Sequence, residues 1–237
     1  MPQIEVCYSP YLFPLFARKG PIVVVIDILR ATSAICAALH AGVEKIIPVE
    51  TVEQARTYQD QGYIAAAERN GQVIEGFALG NSPFSFMHPE LKGTTIVLST
   101  TNGTQAIAAA SPTNQVVIGS YLNLSVLAEW LIKSNQDVIL LCAGWKNKFN
   151  LEDSIYAGAL ANTLIQKGAF TTNCDSTMAA MQLEDHARKD LYFHLQQSSH
   201  FNRLSHLNLE KDIRFCLTPD QAPVVPLLQD GALLSIN

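Results

Sequence analysis

The sequence predicts a layered α/β/α fold with a largely parallel or mixed sheet, and three observations carry that prediction. Three short β-rich runs each lead through polar residues into an alanine-rich helical pattern. Those runs are continuously apolar but for the opening Thr95 of the second, instead of apolar at alternate positions, and small polar or charged residues gather where each run ends. A strand that is apolar on both sides needs cover on both faces, which parallel sheets receive from their crossover helices.

The first unit is Ile22 to Ile26, then Asp27 to Thr32, then a helix through Leu39 that stops near Gly42. The second is Thr95 to Leu98, then Ser99 to Thr104, then a short helix through Ala110 ended by Ser111-Pro112. The third is Val138 to Leu141, then Cys142 to Asp153, then a helix through Lys167 to Gly168. Between them Lys45 to Val49, Tyr63 to Ala67 and Gln115 to Gly119 read as strands. Val52 to Gln61 reads as a helix whose capping box is Thr51 with Gln54. From Ser176 to Gln197 the apolar positions Ala180, Leu183, Ala187, Leu191 and Leu195 recur at helical spacing, predicting one long amphipathic helix on the outside. The tail, with Pro219, Pro223 and Pro226 around Val224-Val225, reads as extended strand or loop. A chain of 237 residues suits one compact unit over 1–237 or two intimately packed α/β halves at about 1–120 and 121–237; no Pro/Gly/Ser-rich linker marks a boundary.

Hydrophobic residues make up 48% of the chain and charged ones 16%, a balance that favours a globular body throughout. The net charge of −5 argues against non-specific binding to nucleic acid or to an anionic membrane surface, so any anionic ligand has to be held locally. Met1 to Val6 lack the basic start and apolar run of a secretory signal, and no apolar segment approaches about 18 residues, so a cytoplasmic location is expected. Five cysteines are an odd number without pairwise ligand spacing, which suggests neither a disulfide framework nor a zinc site.

In sheets of this kind ligands collect outside the carboxyl ends of strands, where helix N-termini favour anions. Asp27, Arg30 and Thr32 bring a carboxylate, a guanidinium and a hydroxyl to one strand end; the plainer alternative is a helix cap with a surface ion pair. Ser99, Thr100, Thr101, Asn102 and Thr104 surround Gly103 directly after a strand. This suits an oxyanion cradle of converging N–H groups and short hydroxyls, or else a polar turn. Two acidic clusters, Glu68-Arg69-Asn70-Gly71 and Glu152-Asp153, supply oxygens of the kind Mg²⁺ prefers, although Asp153 also fits a helix N-cap. Gly80-Asn81-Ser82-Pro83 reads as a fixed turn and a rigid pocket wall. Neither a Walker loop nor a GxGxxG fingerprint is present, which disfavours nucleotide cofactors. Cys142 followed by Lys148 imitates the cysteine-phosphatase spacing, but lysine lacks the planar fork of the required arginine, so a buried strand thiol is expected. None of His40, His186, His194, His200 and His206 has metal-ligand spacing with a second ligand.

Taken in order, Val25 to Thr32, Glu68 to Gly71 with Gly76-Phe77, Leu79 to Pro83, Thr100 to Thr104, Cys142 to Gly144 and Leu151 to Asp153 resemble the 2-phosphosulfolactate phosphatase family. Asp212 with Phe215-Cys216 and Val225-Pro226 extends the likeness towards the C-terminus. The resemblance implies an α/β fold of two related halves, Mg²⁺ dependence, a homodimer, and hydrolysis of 2-phospho-3-sulfolactate to 3-sulfolactate and phosphate, a step of coenzyme M biosynthesis in methanogens. On that footing Asp27, Arg30, Glu152 and Asp153 are the expected catalytic residues, with Mg²⁺ on Asp27, Glu68 and Asp153 in some combination. Arg30 and Arg69 would clamp the anion, and Thr101 to Thr104 would cradle it. Thr32, Asn81, Ser82 and Thr100 complete the expected substrate contacts, and Glu152 would orient or deprotonate water. Two alternatives stay open: a phosphatase for another small phosphorylated hydroxy-acid, and a binder of such metabolites without catalysis.

Overall fold

The computed structural model describes residues 1–112 and 114–236. In chain order its elements begin β1 (Ile4–Cys7), β2 (Ile22–Ile26), α1 (Ala31–His40), β3 (Lys45–Pro48), α2 (Val52–Asp60), β4 (Ile64–Arg69), β5 (Gln72–Val73) and α3 (Pro83–Phe86). There follow β6 (Thr95–Ser99), α4 (Gly103–Ala110), β7 (Gln115–Gly119), α5 (Leu124–Ser134), β8 (Val138–Cys142), α6 (Leu151–Gln166) and α7 (Asp175–Ala187). The chain ends with α8 (Leu191–Leu195), α9 (Ser199–His206), α10 (Glu210–Cys216), β9 (Val225–Gln229) and β10 (Ala232–Ile236). The predicted α/β class and mixed sheet are what the structure has. The strands form one sheet in the order β1-β8-β2-β7-β9-β10-β3-β6-β4-β5.

Two parallel arms, β1-β8-β2-β7 and β3-β6-β4, are joined by the antiparallel hairpin of β9 and β10. The hairpin turns at Asp230 and Gly231, both at positive φ, which is the Asp-Gly geometry of a tight hairpin. Its pairing with β7 on one side and β3 on the other is antiparallel at both contacts, so the two arms run in opposite directions.

Each strand of the first arm covers two cores, as its unbroken apolar sequence requires. Ile22, Val24 and Ile26 pack with residues of α5, α6 and α7, whereas Val23 and Val25 face the core around α1 and α4. A third, smaller core lies between α2 and the outer face of β4 and β6. Helix α1 is buried from Ala31 to Leu39 and touches β3, β7, β9 and β10, so the sheet folds around it. Alanines at 31, 34, 37 and 38 make that enclosure feasible, because small side chains allow close approach on several sides at once.

This curvature decides where the site forms. In a flat sheet, arms of opposite direction would present their carboxyl ends at opposite margins. Here a Cβ built on Gly103, after β6, would lie 2.9 Å from Asp27 Oδ2, after β2. Twist and curling have brought the two sets of strand ends together.

The predicted single helix over Ser176 to Gln197 is corrected to two. Helix α7 stops at Ala187, and Asp190 starts α8 by accepting the Phe193 N–H at 2.9 Å. The apolar stripe continues across the break because Ala180, Ala187 and Leu195 all enter the same core. No helix among the described residues is long and apolar enough to cross a membrane.

Candidate active site

Strand β2 ends in a turn that its own side chains hold. The Asp27 N–H donates to Thr32 Oγ1 at 3.1 Å and the Thr32 N–H returns to Asp27 O at 2.9 Å, leaving the Asp27 carboxyl directed into a cavity. The Leu29–Arg30 peptide in this turn is cis. Arg30 is buried; its Nη1 donates to Asp212 Oδ1 at 2.5 Å and its Nη2 to Gly71 O at 3.1 Å. Its Nε is buried without a hydrogen-bond partner among the described residues.

The second arm contributes Glu68 from β4. One carboxylate oxygen accepts from Thr101 Oγ1 at 3.0 Å and from the Gly71 N–H at 2.5 Å. The other accepts from the Thr101 N–H at 3.2 Å and Asn81 Nδ2 at 3.4 Å. Glu68 thereby ties together three loops that the sequence reading had treated as separate clusters. Asn102 Oδ1 accepts the Lys146 N–H at 3.0 Å, which joins the loop after β6 to the loop after β8.

Asp153 and Glu152 open helix α6 and face different ways. Asp153 is fully buried, accepting from the Ile28 N–H at 2.9 Å, the Gly144 N–H at 3.1 Å and Asn150 Nδ2 at 2.8 Å. It pins the loops after β2 and β8 to one helix start. Glu152 Oε1 accepts from Asn150 Nδ2 at 2.9 Å and lies 2.5 Å from His200 Nδ1. The His200 ring packs against Trp145 with centroids 5.2 Å apart and the planes tilted by 38°.

These groups surround a narrow cavity of about 10 Å³ whose wall includes Asp27, Arg30, Glu68, Asn81, Asn102 and His200. Burial pushes the Asp27 carboxyl from its ordinary 3.8 up to about 7, with neighbouring Glu68 and Glu152 adding to the rise and His200 opposing it. Asp153 is likewise held well above the ordinary carboxyl range, first by burial and then by Asp27 and Glu152. Negative charge is therefore crowded here, and the charge of Arg30 is already matched by Asp212.

Of the residues singled out from sequence, Asp27, Arg30, Glu68, Asn81, Thr101 and Asn102 meet in the cavity, and Gly103 stands against Asp27. Others are placed elsewhere. Arg69 donates to the Glu68 carbonyl at 2.7 Å and to Ser99 Oγ at 3.1 Å, so its fork braces the strand ends and does not line the cavity. Thr100 and Thr104 bond each other's backbone across the first turn of α4, and Thr32 holds its own loop. Thr101 spends its N–H and hydroxyl on Glu68, so the cradle expected over Thr101 to Thr104 is occupied from within. Ser82 precedes α3 without lining the cavity. Asp153, expected as a metal ligand, sits behind the wall with both oxygens engaged, and Glu152 opens onto an adjoining groove. Among the described residues no group of three or more His, Cys, Asp or Glu side chains is arranged to hold a metal ion. Cys142 is buried, and burial together with Asp153 raises its thiol well above the ordinary range, which suits the structural thiol read from the sequence.

Sequence reasoning missed His200, Trp145 and Arg203. Nothing local links His200 to Glu152, 48 residues away. Asp212 was visible only through the family likeness, yet it is the ion-pair partner of Arg30.

An α/β body with acids and a guanidinium converging at strand ends is a construction suited to a small charged ligand. The model of the 2-phosphosulpholactate phosphatase family matches residues 7–231, and the chain belongs to that family of phosphoric monoester hydrolases. Relatives named "Probable 2-phosphosulfolactate phosphatase" include one from Thermotoga maritima, 40% identical over 211 residues, 89% of this chain and 90% of the relative. Another from Caldanaerobacter subterraneus subsp. tengcongensis is 39% identical over 213 residues, 88% of each chain. One from Clostridium acetobutylicum is 34% identical over 219 residues, 91% of this chain and 93% of the relative.

Proposed function

We propose that this protein hydrolyses 2-phospho-3-sulfolactate to 3-sulfolactate and inorganic phosphate, with Mg²⁺ held at Asp27. The observation that carries the reading is the placement of Asp27, a buried carboxyl pushed up to about 7 in a cavity it shares with Glu68, Arg30 and His200. The donor set fits a divalent cation in one respect, because the Asp27 and Glu68 carboxyls share the cavity wall while Arg30 is already paired. Mg²⁺ needs only one or two carboxylates beside waters and substrate oxygens, so Asp27 with Glu68 across the cavity suffices. When bound, Mg²⁺ supplies Lewis-acid polarisation of phosphoryl oxygens and relief of the crowded negative charge.

The remaining work belongs to the chain. Arg30, fixed by Asp212 and Gly71 O, is the guanidinium facing the bound ester. Asn81 and Asn102 add neutral polar atoms to the wall, and Leu29 and Leu204 limit the water around the reacting group. His200 donates from Nδ1 to Glu152, so its Nε2 is the atom that exchanges a proton with the reacting oxygens. Phosphate-monoester hydrolysis can require acceleration of about 10²¹-fold. A helix end contributes only about 0.3 to 2 kcal/mol, so charge, positioning and proton transfer must act together.

The deciding experiment measures phosphate release from 2-phospho-3-sulfolactate by the metal-free protein with and without added Mg²⁺. Release that stops on chelation and returns with Mg²⁺ is expected. Tight binding of the ester without any release would establish a binder in place of an enzyme.

A further inference from the structure

Beside the cavity runs a groove of about 350 Å³ whose wall includes Trp145, Lys148, Glu152, His200 and Arg203. Trp145 and His200 belong to both walls, so the two spaces adjoin. Arg203 lies one helical turn beyond His200 on α9, and its guanidinium rests 4.1 Å from the centre of the Trp145 ring. Its Nε and Nη2 are buried, and no acceptor among the described residues takes them. Burial lowers the Arg203 pKa from its ordinary value, an effect that nearby Glu152 opposes. Among the described residues Glu152 is the only carboxylate on this wall, and it is tied through Oε1 to His200 and Asn150 and makes no ion pair with Arg203. On the same loop Lys146 Nζ stands 5.4 Å from the Trp145 ring centre, so two cations flank one indole in a chain of net charge −5, and Lys148 lines the same groove.

We infer that Arg203, laid flat by Trp145, is the specificity-determining contact for the sulfonate of the substrate. The inference rests on the proposed reaction and adds to it a residue that selects the substrate. In 2-phospho-3-sulfolactate the carboxylate is attached to the carbon that bears the phosphate ester, whereas the sulfonate stands one carbon further out. With the phosphate beside Asp27, the farther-reaching anion is the one that enters the groove. A half-buried, planar guanidinium whose Nε and Nη2 meet no acceptor among the described residues matches a sulfonate, whose oxygens accept two parallel N–H bonds.

The test compares 2-phospho-3-sulfolactate with 2-phospholactate, which lacks the sulfonate, in the wild type, Arg203→Met and Arg203→Lys. Methionine keeps an apolar stem over Trp145 and removes the fork. In Arg203→Met the ratio of kcat/KM for the sulfonated over the unsulfonated ester should fall at least roughly 30-fold, mostly through KM. In Arg203→Lys it should fall partway, and this variant decides the matter if the methionine variant does not fold. Calorimetric binding of 3-sulfolactate against lactate, with Trp145 fluorescence as a second signal, reads the same contact without turnover. A wild type that binds 3-sulfolactate through Arg203 but releases no phosphate would overturn the proposed reaction and keep this assignment. An unchanged selectivity ratio together with unchanged 3-sulfolactate affinity would overturn the assignment itself.

Discussion

Arg30 and Asp212, 182 residues apart in the chain, meet at 2.5 Å with both side chains almost wholly buried. The pair bridges the loop after β2 to α10 and so closes one side of the cavity. A buried pair adds little over an apolar substitute, yet removing one partner strands a charge. Asp212→Ala should therefore lose about 3 to 5 kcal/mol in urea unfolding and most phosphate release. The double variant Arg30→Met/Asp212→Leu should regain much of that stability without regaining activity. A single variant that unfolds at the wild-type urea midpoint would show that the pair is not stranding a charge.

The raised pKa of Asp27 makes a second prediction about stability. An acid lifted from 3.8 to about 7 on folding binds more protons in the native state across that window. The native state is then favoured most below the unfolded value, and stability is lost as pH rises towards 7 and levels off above it. Asp27→Asn, neutral at every pH, should abolish phosphate release and yet be more stable than the wild type at pH 8 in chelator, by on the order of 4 kcal/mol. That advantage should shrink as pH falls through 7 and vanish near 4. Urea midpoints measured across this range check it, and a gap that does not change with pH would contradict the assigned environment.

Much of the fold was legible because burial on both faces leaves a plain trace. Strands such as Ile22–Ile26 and Val138–Cys142 have no polar position to hide, and the Thr51–Gln54 capping box forms as the spacing requires. The break between α7 and α8 was not legible, because the apolar stripe crosses it unchanged while Asp190 does the capping. The tail read only as extended strand or loop, and the Asp230-Gly231 hairpin there, with its consequence for the sheet, emerged from the structure. That hairpin sits between the two arms, reverses their relative direction and shapes the sheet that unites Asp27 with Glu68. Side-chain destinations such as Arg69 to Ser99 and His200 to Glu152 depend on the same curvature.

Two glycines separate damage to the site from damage to the body. At Gly103 a Cβ would meet Ala31 Cβ at 2.7 Å and Asp27 Oδ2 at 2.9 Å. Gly103→Ala should cost about 1 to 3 kcal/mol and displace Asp27, so kcat/KM should fall even in the fully folded fraction. At Gly158 a Cβ would collide with the Ala180 carbonyl where α6 crosses α7. Gly158→Ala should destabilise by at least about as much while activity per folded molecule stays near wild type. Urea unfolding combined with active-fraction kinetics distinguishes the two. Equal kinetic losses in both variants would mean that the cavity does not depend on the Asp27–Gly103 contact.

The Glu152–His200 contact yields the most specific kinetic expectation. Glu152 touches no reacting atom in the proposed scheme; it acts by fixing the His200 ring and keeping Nδ1 as the donor towards itself. Glu152→Gln keeps the shape and removes the charge, so kcat should fall by about 10²-fold or more with little change in KM. His200→Asn should fall by a similar factor, and the double variant no further than the worse single one, because both changes disable one proton-exchanging unit. Losses that simply multiply in the double variant would make the two residues independent, and a rise in KM alone would reduce His200 to a wall of the binding site.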